Sequence, residues 1–534
     1  MKKFFQTRNN IILVVLLGLI MLNAFIWGYI KDGFYGDEIY SYAFVCSTDE
    51  CSVNRGTEEE PYLNNWHDSD YFMDYFTITP KEAFDVIGVV KVIWGDDHPP
   101  MFDEILEILI SVFSQNKFTK WVGLSINFVF FLLTLVFLYL LSKKIFGPEK
   151  WATLIMTAYG LSVGAVSNVV YIRMYVMLAF ATVAFTYANV LMLEHNQSGL
   201  PYNKDKRKIF ILMILSTFFG MTTQYYFSVF CGFLCIAVFT YMLIKKQWKN
   251  IKEYVISMFL GFALTAIVWP ETYNDIFREA RAKEAFTDVA SGTSFFDQLK
   301  EYIKIINADN FAGLGLAVAI LMIVLLVVAL VFFRKQIEKP DYRIILISAA
   351  VVCYVLMIAR IAPLQIDRYV FNIFPLIVLI TVQILRYLSE PMFIGKTTKA
   401  TFTILTLIML VITILGYFKT GVNYLYIGDS KKVAVMEEMS DVPVVLVTED
   451  DRRYFSCVNS YYVKKSDRTY PVKFEEIENA VKAVEEIGTD KFIVFVDRFI
   501  EDGDLVVKQF DSTMTGQVTH LFDTEEAGVY LIEK

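Results

Sequence analysis

The chain has 534 residues, 55% of them hydrophobic, 16% aromatic and 20% charged, with a formal net charge of -8; its mean hydropathy is +0.46. That much apolar surface exceeds what a soluble interior hides and marks a polytopic membrane protein. An acidic balance with no long basic run offers nothing to a phosphate backbone, which excludes nucleic acid as a partner.

In chain order, MKKFFQTRNN leads into an apolar run from Ile11 to about Ile30. The run is long and no small-residue cleavage site closes it, so it reads as a retained first span and not as a signal peptide. Residues 31–120 are polar and acidic, but PKEAFDVIGVVKVIWG and MFDEILEILISVF carry apolar residues at three- and four-residue spacing. Both predict helices lying along a membrane surface. Apolar windows then recur near 121–141, 151–168, 174–193, 209–223, 225–244, 254–270, 311–333, 342–359, 369–388 and 400–418. With the first run they make about eleven transmembrane helices.

Sidedness follows from the basic short connections SKKIFGPEK, NKDKRK, KKQWK, RKQIEKPDYR and RYLSEPMFIGKTTK. With these and the N-terminus in the cytoplasm, residues 31–120, residues 271–310 and everything after about 420 lie outside. The tail changes character: VPVVLVTED, KFIVFVDRF and AGVYLIEK predict strands, and KFEEIENAVKAVEEIG an amphipathic helix ended by Gly488. The expected organisation is a transmembrane domain over 1–420 and a small extracytoplasmic α/β domain over 421–534, the latter without a phosphate loop or catalytic motif.

The six cysteines are too few for a disulfide scaffold, and Cys231, Cys235 and Cys353 sit in apolar runs as small hydrophobes. Cys46 and Cys51 fall in the outer segment, where a disulfide and two free thiols are both open readings.

Charge at membrane depth is expensive, so the ionisable residues near the apolar runs carry the information. On the expected outer side these are Asp37 and Glu38 in GDEIYSY, Asp96, Asp97 and His98 in WGDDHPPMF, Arg173 in VVYIRMYVM, and Arg360, Asp367 and Arg368 in ARIAPLQIDRYVF. Neighbouring helical residues point about 100° apart, so one of Asp37 and Glu38 faces a cavity and the other supports it. A carboxylate at a partly dry mouth can take a proton from an attacking hydroxyl; the plainer alternative is that the pair marks the water interface. Paired prolines after His98 make a rigid corner that fixes Asp97 and His98. A divalent metal on Asp37, Asp97 and His98 is conceivable, though no ligand spacing supports it. Arginine makes two parallel hydrogen bonds to phosphate, so Arg173, Arg360 and Arg368 suggest an anionic substrate, against snorkelling or internal pairing as the alternative.

GDEIYSY, DDHPPMF, YIRMYVM and IDRYVFNIFPLIVL, in this order and on one expected side, resemble the GT-C class of polytopic glycosyltransferases, specifically the protein-mannosyltransferase-like and aminoarabinose-transferase-like enzymes. The likeness spans roughly residues 1 to 420. A fifth stretch, TTQYYFSVF, is similar to a Thr-His-Tyr-Tyr-like turn of such enzymes, with Gln224 in place of the His. The resemblance implies a GT-C-like bundle and an inverting enzyme that moves a sugar from a polyprenyl-phosphate carrier to an extracytoplasmic acceptor, namely a cell-envelope glycan, lipid or protein. It implies Asp37 as catalytic base or acceptor-orienting acid and Glu38 as its support. Asp97 and His98 would line the cavity, Arg173, Arg368 and Arg360 would hold the carrier phosphate, and Tyr175 and Tyr369 would neighbour them.

The rival readings are a transporter or flippase of lipid-linked sugars, which would show inverted halves or broken helices at mid-membrane, and a polysaccharide polymerase or ligase, which lacks an acid motif after its first helix. The long acidic outer segment favours the transferase. The expected setting is a bacterial plasma membrane, because no eukaryotic retention signal ends the chain.

Overall fold

In the computed structural model of the chain, the described residues are 8–46, 62–94, 98–197, 204–273, 295–393, 398–449, 453–501, 517–533 and the single positions 503, 506 and 510. Nine of the described helices are long and apolar enough to cross a membrane: Ile11–Ile30, Lys120–Phe146, Tyr175–His195, Tyr226–Ile244, Trp248–Val268, Gly315–Phe332, Tyr342–Ile361, Phe371–Met392 and Lys399–Lys419. A tenth span is a broken one, Glu149–Gly160 and Val163–Val170, bent by 57°. Ser162 makes the break by accepting from the Ala165 N–H and so starting the second helix. The eleventh expected segment, 209–223, is also helical within Lys204–Thr223. Its first turns carry Lys204, Asp205, Lys206, Arg207 and Lys208, and that charge separates it from the other spans by composition.

The helix Tyr175–His195 is the axis of the bundle, with 83% of its apolar window buried, whereas Gly315–Phe332 is 11% buried and presents its aliphatic side chains outward. A helix apolar all round suits either position; the partners decide which. The two ends of the bundle are chemically sorted. At one end Lys144 pairs with Glu194 at 3.2 Å, Arg343 pairs with Glu194 and Asp341, and Arg386 pairs with Glu390 at 2.7 Å. These are the basic connections singled out from the sequence. At the opposite end gather Asp37, Glu38, Arg173 and Arg368 with the start of the tail.

Both expected surface helices form, at Val86–Ile93 and Met101–Phe113. Asp85 caps the former by accepting from the Gly88 N–H at 2.9 Å.

The tail forms a five-stranded sheet in the order β2-β1-β3-β5-β4, built from β1 (Val444–Thr448), β2 (Thr469–Lys473), β3 (Lys491–Asp497), β4 (Gln517–Asp523) and β5 (Ala527–Glu533). β1 pairs parallel with β2 and β3, through the crossover helices Arg453–Val463 and Ile477–Ile487, and β5 pairs antiparallel with β3 and β4. Being central and covered on both faces, β1 is an unbroken buried run, VVLVT. Gly488 ends the second crossover helix at φ 69°, the left-handed position that favours glycine. The outer segment covers the free edge of β2: His67 and Thr469 exchange backbone hydrogen bonds of 2.9 and 2.8 Å.

Sheet and bundle are joined directly. Asp32 N–H donates to Leu425 O at 2.8 Å, and Asp32 Oδ2 accepts from Gly428 N–H at 2.7 Å. The helix Gly36–Cys46 packs on the crossover helix Arg453–Val463.

Candidate functional site

The first span ends at Ile30, and after five residues the helix Gly36–Cys46 begins with Asp37 and Glu38 in its first turn. Acids there suit the positive end of the helix dipole. The two diverge as helical neighbours must. Asp37 is partly exposed at the mouth, while Glu38 is fully buried.

Glu38 organises the surroundings. Its Oε2 accepts from Lys31 Nζ at 2.9 Å and from Tyr35 N–H at 2.6 Å, and its Oε1 accepts from Ile172 N–H at 2.7 Å. Burial pushes the Glu38 carboxyl up and the Lys31 ammonium down from their ordinary values, and each opposes the shift of the other. Lys31 also donates to Tyr424 O at 2.6 Å, so one buried cation ties the end of the first span to the start of the tail.

The segment between Val170 and Tyr175 is an unwound stretch between two helices, and it delivers Tyr171, Ile172 and Arg173 to Asp37 and Glu38. Arg173 is 3% exposed; its Nη1 donates to Ser41 Oγ at 2.6 Å and to Asp37 O at 3.3 Å, gripping the backbone of the Asp37 helix. From another part of the chain, a short 3-10 turn, Asp367–Tyr369, presents Arg368. Its Nη1 donates to Asp37 Oδ2 and, at 3.2 Å, reaches Tyr171 Oη. Tyr171 Oη donates to the same Asp37 oxygen at 3.2 Å. Arg368 Nε is buried with no hydrogen-bond partner among the described residues, leaving a spare charged donor beside Asp37.

Asp367 turns away from this cation. Its carboxylate accepts from Asn423 Nδ2 at 3.0 Å and from Tyr424 Oη, which fastens the turn to the tail. Tyr171 lies between two near-parallel rings, Tyr175 with centroids at 5.6 Å and Tyr424 at 4.2 Å. The Arg368 guanidinium lies 5.1 Å from the Tyr369 ring and 6.0 Å from the Tyr35 ring.

Of the residues singled out from the sequence, Asp37, Glu38, Arg173, Tyr175, Arg368 and Tyr369 come together. Arg360 is half-buried near the end of Tyr342–Ile361, with no ion pair to the cluster among the described residues. His98 is half-buried on the turn before Met101–Phe113. Asp96, Asp97 and Cys51 lie outside the described residues, while Cys46 is buried. Gln224, where the resemblance has His, is buried; its Oε1 accepts from Tyr226 N–H at 3.3 Å and its side chain bonds the Tyr175 hydroxyl. Among the described residues no three His, Cys, Asp or Glu stand together as a metal-ligand group. Sequence reasoning missed Lys31, Tyr35, Tyr171, Tyr424 and the tail's Glu525, whose Oε2 accepts from Gly36 N–H at 3.2 Å.

No family model matches the sequence, and no curated protein matches it. Solved structures do match by shape. ArnT from Cupriavidus metallidurans, solved bound to undecaprenyl phosphate, superposes with a TM-score of 0.52 at 10% identity, over 97% of each chain; the apo state of ArnT gives 0.52 at 11%. The apo oligosaccharyltransferase of Archaeoglobus fulgidus gives 0.50 at 11% identity, over 92% of this chain and 70% of that one. At such identities the likeness establishes the fold: the chain shares the architecture of these structures, a multi-pass helical membrane bundle with a small C-terminal sheet domain.

Proposed function

We propose that the chain is an inverting membrane glycosyltransferase that moves a hexose or pentose from a polyprenyl-phosphate carrier to an extracytoplasmic acceptor, a cell-envelope glycan, lipid or protein. The observation that carries this reading is the meeting of Asp37, from the helix that follows the first span, with Arg368, from a turn 331 residues further along the chain. A proton-accepting group and a phosphate-binding group therefore share one mouth. The similar ArnT structure, solved with undecaprenyl phosphate, supports the donor class.

In the proposed reaction, the acceptor hydroxyl attacks the anomeric carbon and its proton passes to Asp37. The bond from that carbon to the carrier phosphate breaks on the opposite face, and its electron pair leaves with the phosphate oxygen. Arg368 meets that oxygen with two charged donors, one now shared with Asp37 and the other the spare Nε–H. The incoming phosphate competes with Asp37 for the guanidinium, which frees the carboxylate to act as base. Arg173 supports Asp37 through its backbone oxygen. Tyr175 and Tyr369 complete the proposed substrate pocket, and Arg360, His98 and Asp97 are proposed as further substrate-binding residues on the sequence motifs alone. A divalent metal would have Asp37 as its natural ligand, but the carboxylate is already engaged by Arg368 and Tyr171.

The proposed division is a transmembrane enzyme domain over 1–420 and an accessory domain over 421–534. The proposed setting is a bacterial plasma membrane, with the N-terminus cytoplasmic and the site and tail outside. Basic connections gathered at the end opposite to Asp37 support that orientation. The test is mass analysis of envelope glycans and lipids in cells with the wild-type chain, with none, and with Asp37→Asn. The reading expects one sugar modification to vanish in the last two. Identical profiles in all three would overturn it.

A further inference from the structure

We propose that the C-terminal domain supplies a positioning residue to this site: Glu525 holds the first turn of the Asp37 helix and thereby fixes the carboxylate. The inference rests on the reading above only for its consequence in turnover; the contact itself stands on geometry.

Helix Gly36–Cys46 starts with N–H groups that its own turns cannot satisfy. Glycine at position 36 has no side chain with which to cap them. The cap arrives from 489 residues away, where Glu525 Oε2 accepts from Gly36 N–H at 3.2 Å. A carboxylate in that place also suits the positive end of the helix.

The tail approaches closely enough to make this contact specific. A Cβ on Gly36 would stand 2.1 Å from Tyr454 Oη and 2.9 Å from Val458 Cγ2, so the crossover helix Arg453–Val463 touches the catalytic helix at its backbone. Glu525 sits in the β4–β5 turn, where Thr524 fixes the backbone by accepting from Ala527 N–H at 2.9 Å and donating to Asn459 at 2.9 Å. The groups facing the Glu525 carboxyl are the Tyr426 hydroxyl, Glu526, Glu38 and the hydroxyls of Tyr35, Tyr454 and Tyr462. The Tyr426 ring lies 6.4 Å from the Tyr35 ring, over which Arg368 lies. Glu525 therefore reaches Asp37 along the helix and Arg368 across two tyrosines. Burial, with these acids beside it, pushes its carboxyl up to about 7.

The experiment uses the full chain in lipid nanodiscs, as wild type, Glu525→Ala and Glu525→Gln. Amide hydrogen exchange over residues 36–42 reads the positioning directly and needs no substrate. Alanine should raise exchange there by roughly tenfold or more, the scale of one hydrogen bond to a charged group, and glutamine, which keeps an acceptor oxygen, should restore most of the protection. With lipid extract from chain-deficient cells as donor source, alanine should lower kcat by a similar factor at unchanged KM. The protonated carboxyl also keeps an acceptor oxygen, so wild-type kcat should fall by less than the alanine loss as pH drops through about 7, where the carboxylate gains its proton, and Glu525→Gln should lose that step. Unchanged exchange over 36–42 in the alanine variant overturns the inference. So does a loss of protection spread over the whole tail that glutamine fails to rescue, since that is a docking contact. A wild type that transfers no sugar removes the proposed function while leaving the exchange result to decide this one.

Discussion

Lys31 and Glu38 form an ion pair sealed from water at the mouth of the bundle: Nζ lies 2.9 Å from Oε2, and neither side chain has exposed surface. Three further bonds, to Tyr35 N–H, Ile172 N–H and Tyr424 O, hold the pair in place. The pair thus joins the first span, the unwound stretch before Tyr175 and the start of the tail.

Breaking such a pair from one side leaves an uncompensated buried charge. Glu38→Leu or Lys31→Met alone should therefore destabilise the folded chain by about 3–5 kcal/mol. The double variant should recover much of this, because two well-packed apolar side chains replace the pair. Activity should not return with it, since the Tyr35 and Ile172 amides still lack their acceptor. Thermal unfolding in detergent measures the first effect; a single variant as stable as wild type would show that the pair contributes nothing.

Asp37 and Arg368 should fail in different ways. Asp37→Asn keeps the shape but cannot accept a proton, so kcat should drop by roughly 10²–10⁴, the usual worth of general-base catalysis, with carrier binding retained. Arg368→Gln removes charge where the leaving phosphate develops it, with a loss of about 10²–10³ in kcat/KM and weaker binding of a polyprenyl phosphate measured without acceptor. Equal effects of both variants on carrier binding would contradict the division of roles between base and anion holder.

The sequence made the first of these groups legible and the second kind only partly so. Asp37, Glu38, Arg173 and Arg368 stand out because charge beside apolar runs is costly and needs a reason. Glu525 carries no such signal, for in LFDTEEAG it looks like any acid on a hairpin turn. Its meaning comes from a tertiary approach to Gly36. Tyr171 sits inside a noticed motif, yet among 31 tyrosines nothing local distinguishes the one that stacks between Tyr175 and Tyr424. In the tail, β1 and β3 announce themselves as buried apolar runs, and β5 as an apolar run that is partly buried. The edge strand β2 hides behind Pro471, and β4 mixes polar and apolar residues without alternation and has no buried residue. The segment at 209–223 is apolar enough to pattern as a span, but the basic turns before it belong to the same helix.

Lys464 gives the joint between tail and outer segment a pH dependence. Its ammonium donates to Tyr461 O at 2.8 Å and lies 3.6 Å from the Tyr461 ring, with the Phe76 and Phe118 rings at 5.9 Å. Burial, with a smaller push from Lys465 against the pull of Glu437, lowers its pKa to about 7. The unfolded lysine titrates near its ordinary value of 10.5. Between those two values the unfolded chain holds a proton that the folded chain lacks, so stability is greatest above the window and declines as pH falls through it toward 7. Hydrogen exchange of residues 453–463 should accordingly be better protected at pH 9.5 than the intrinsic exchange rate alone allows, relative to pH 7. Lys464→Met should flatten that difference, and a slope that survives the substitution would have to come from other groups.

Gly36 and Tyr454 should be coupled. A methyl at Gly36 would lie 2.1 Å from the Tyr454 hydroxyl oxygen and 2.9 Å from its Cζ, so Gly36→Ala forces the tail helix away from the Asp37 helix. Overpacking of this kind costs roughly 1–3 kcal/mol, and kcat should fall because the cap from Glu525 is drawn off with the tail. Tyr454→Ala in the same chain opens the space, although Val458 Cγ2, at 2.9 Å, still crowds the new methyl. The double variant should therefore be more stable and more active than Gly36→Ala alone, by a coupling of about 0.5 kcal/mol or more. Additive effects in that cycle would mean that the two helices do not meet where their backbones and rings now touch, and the tail would lose its claim on the site.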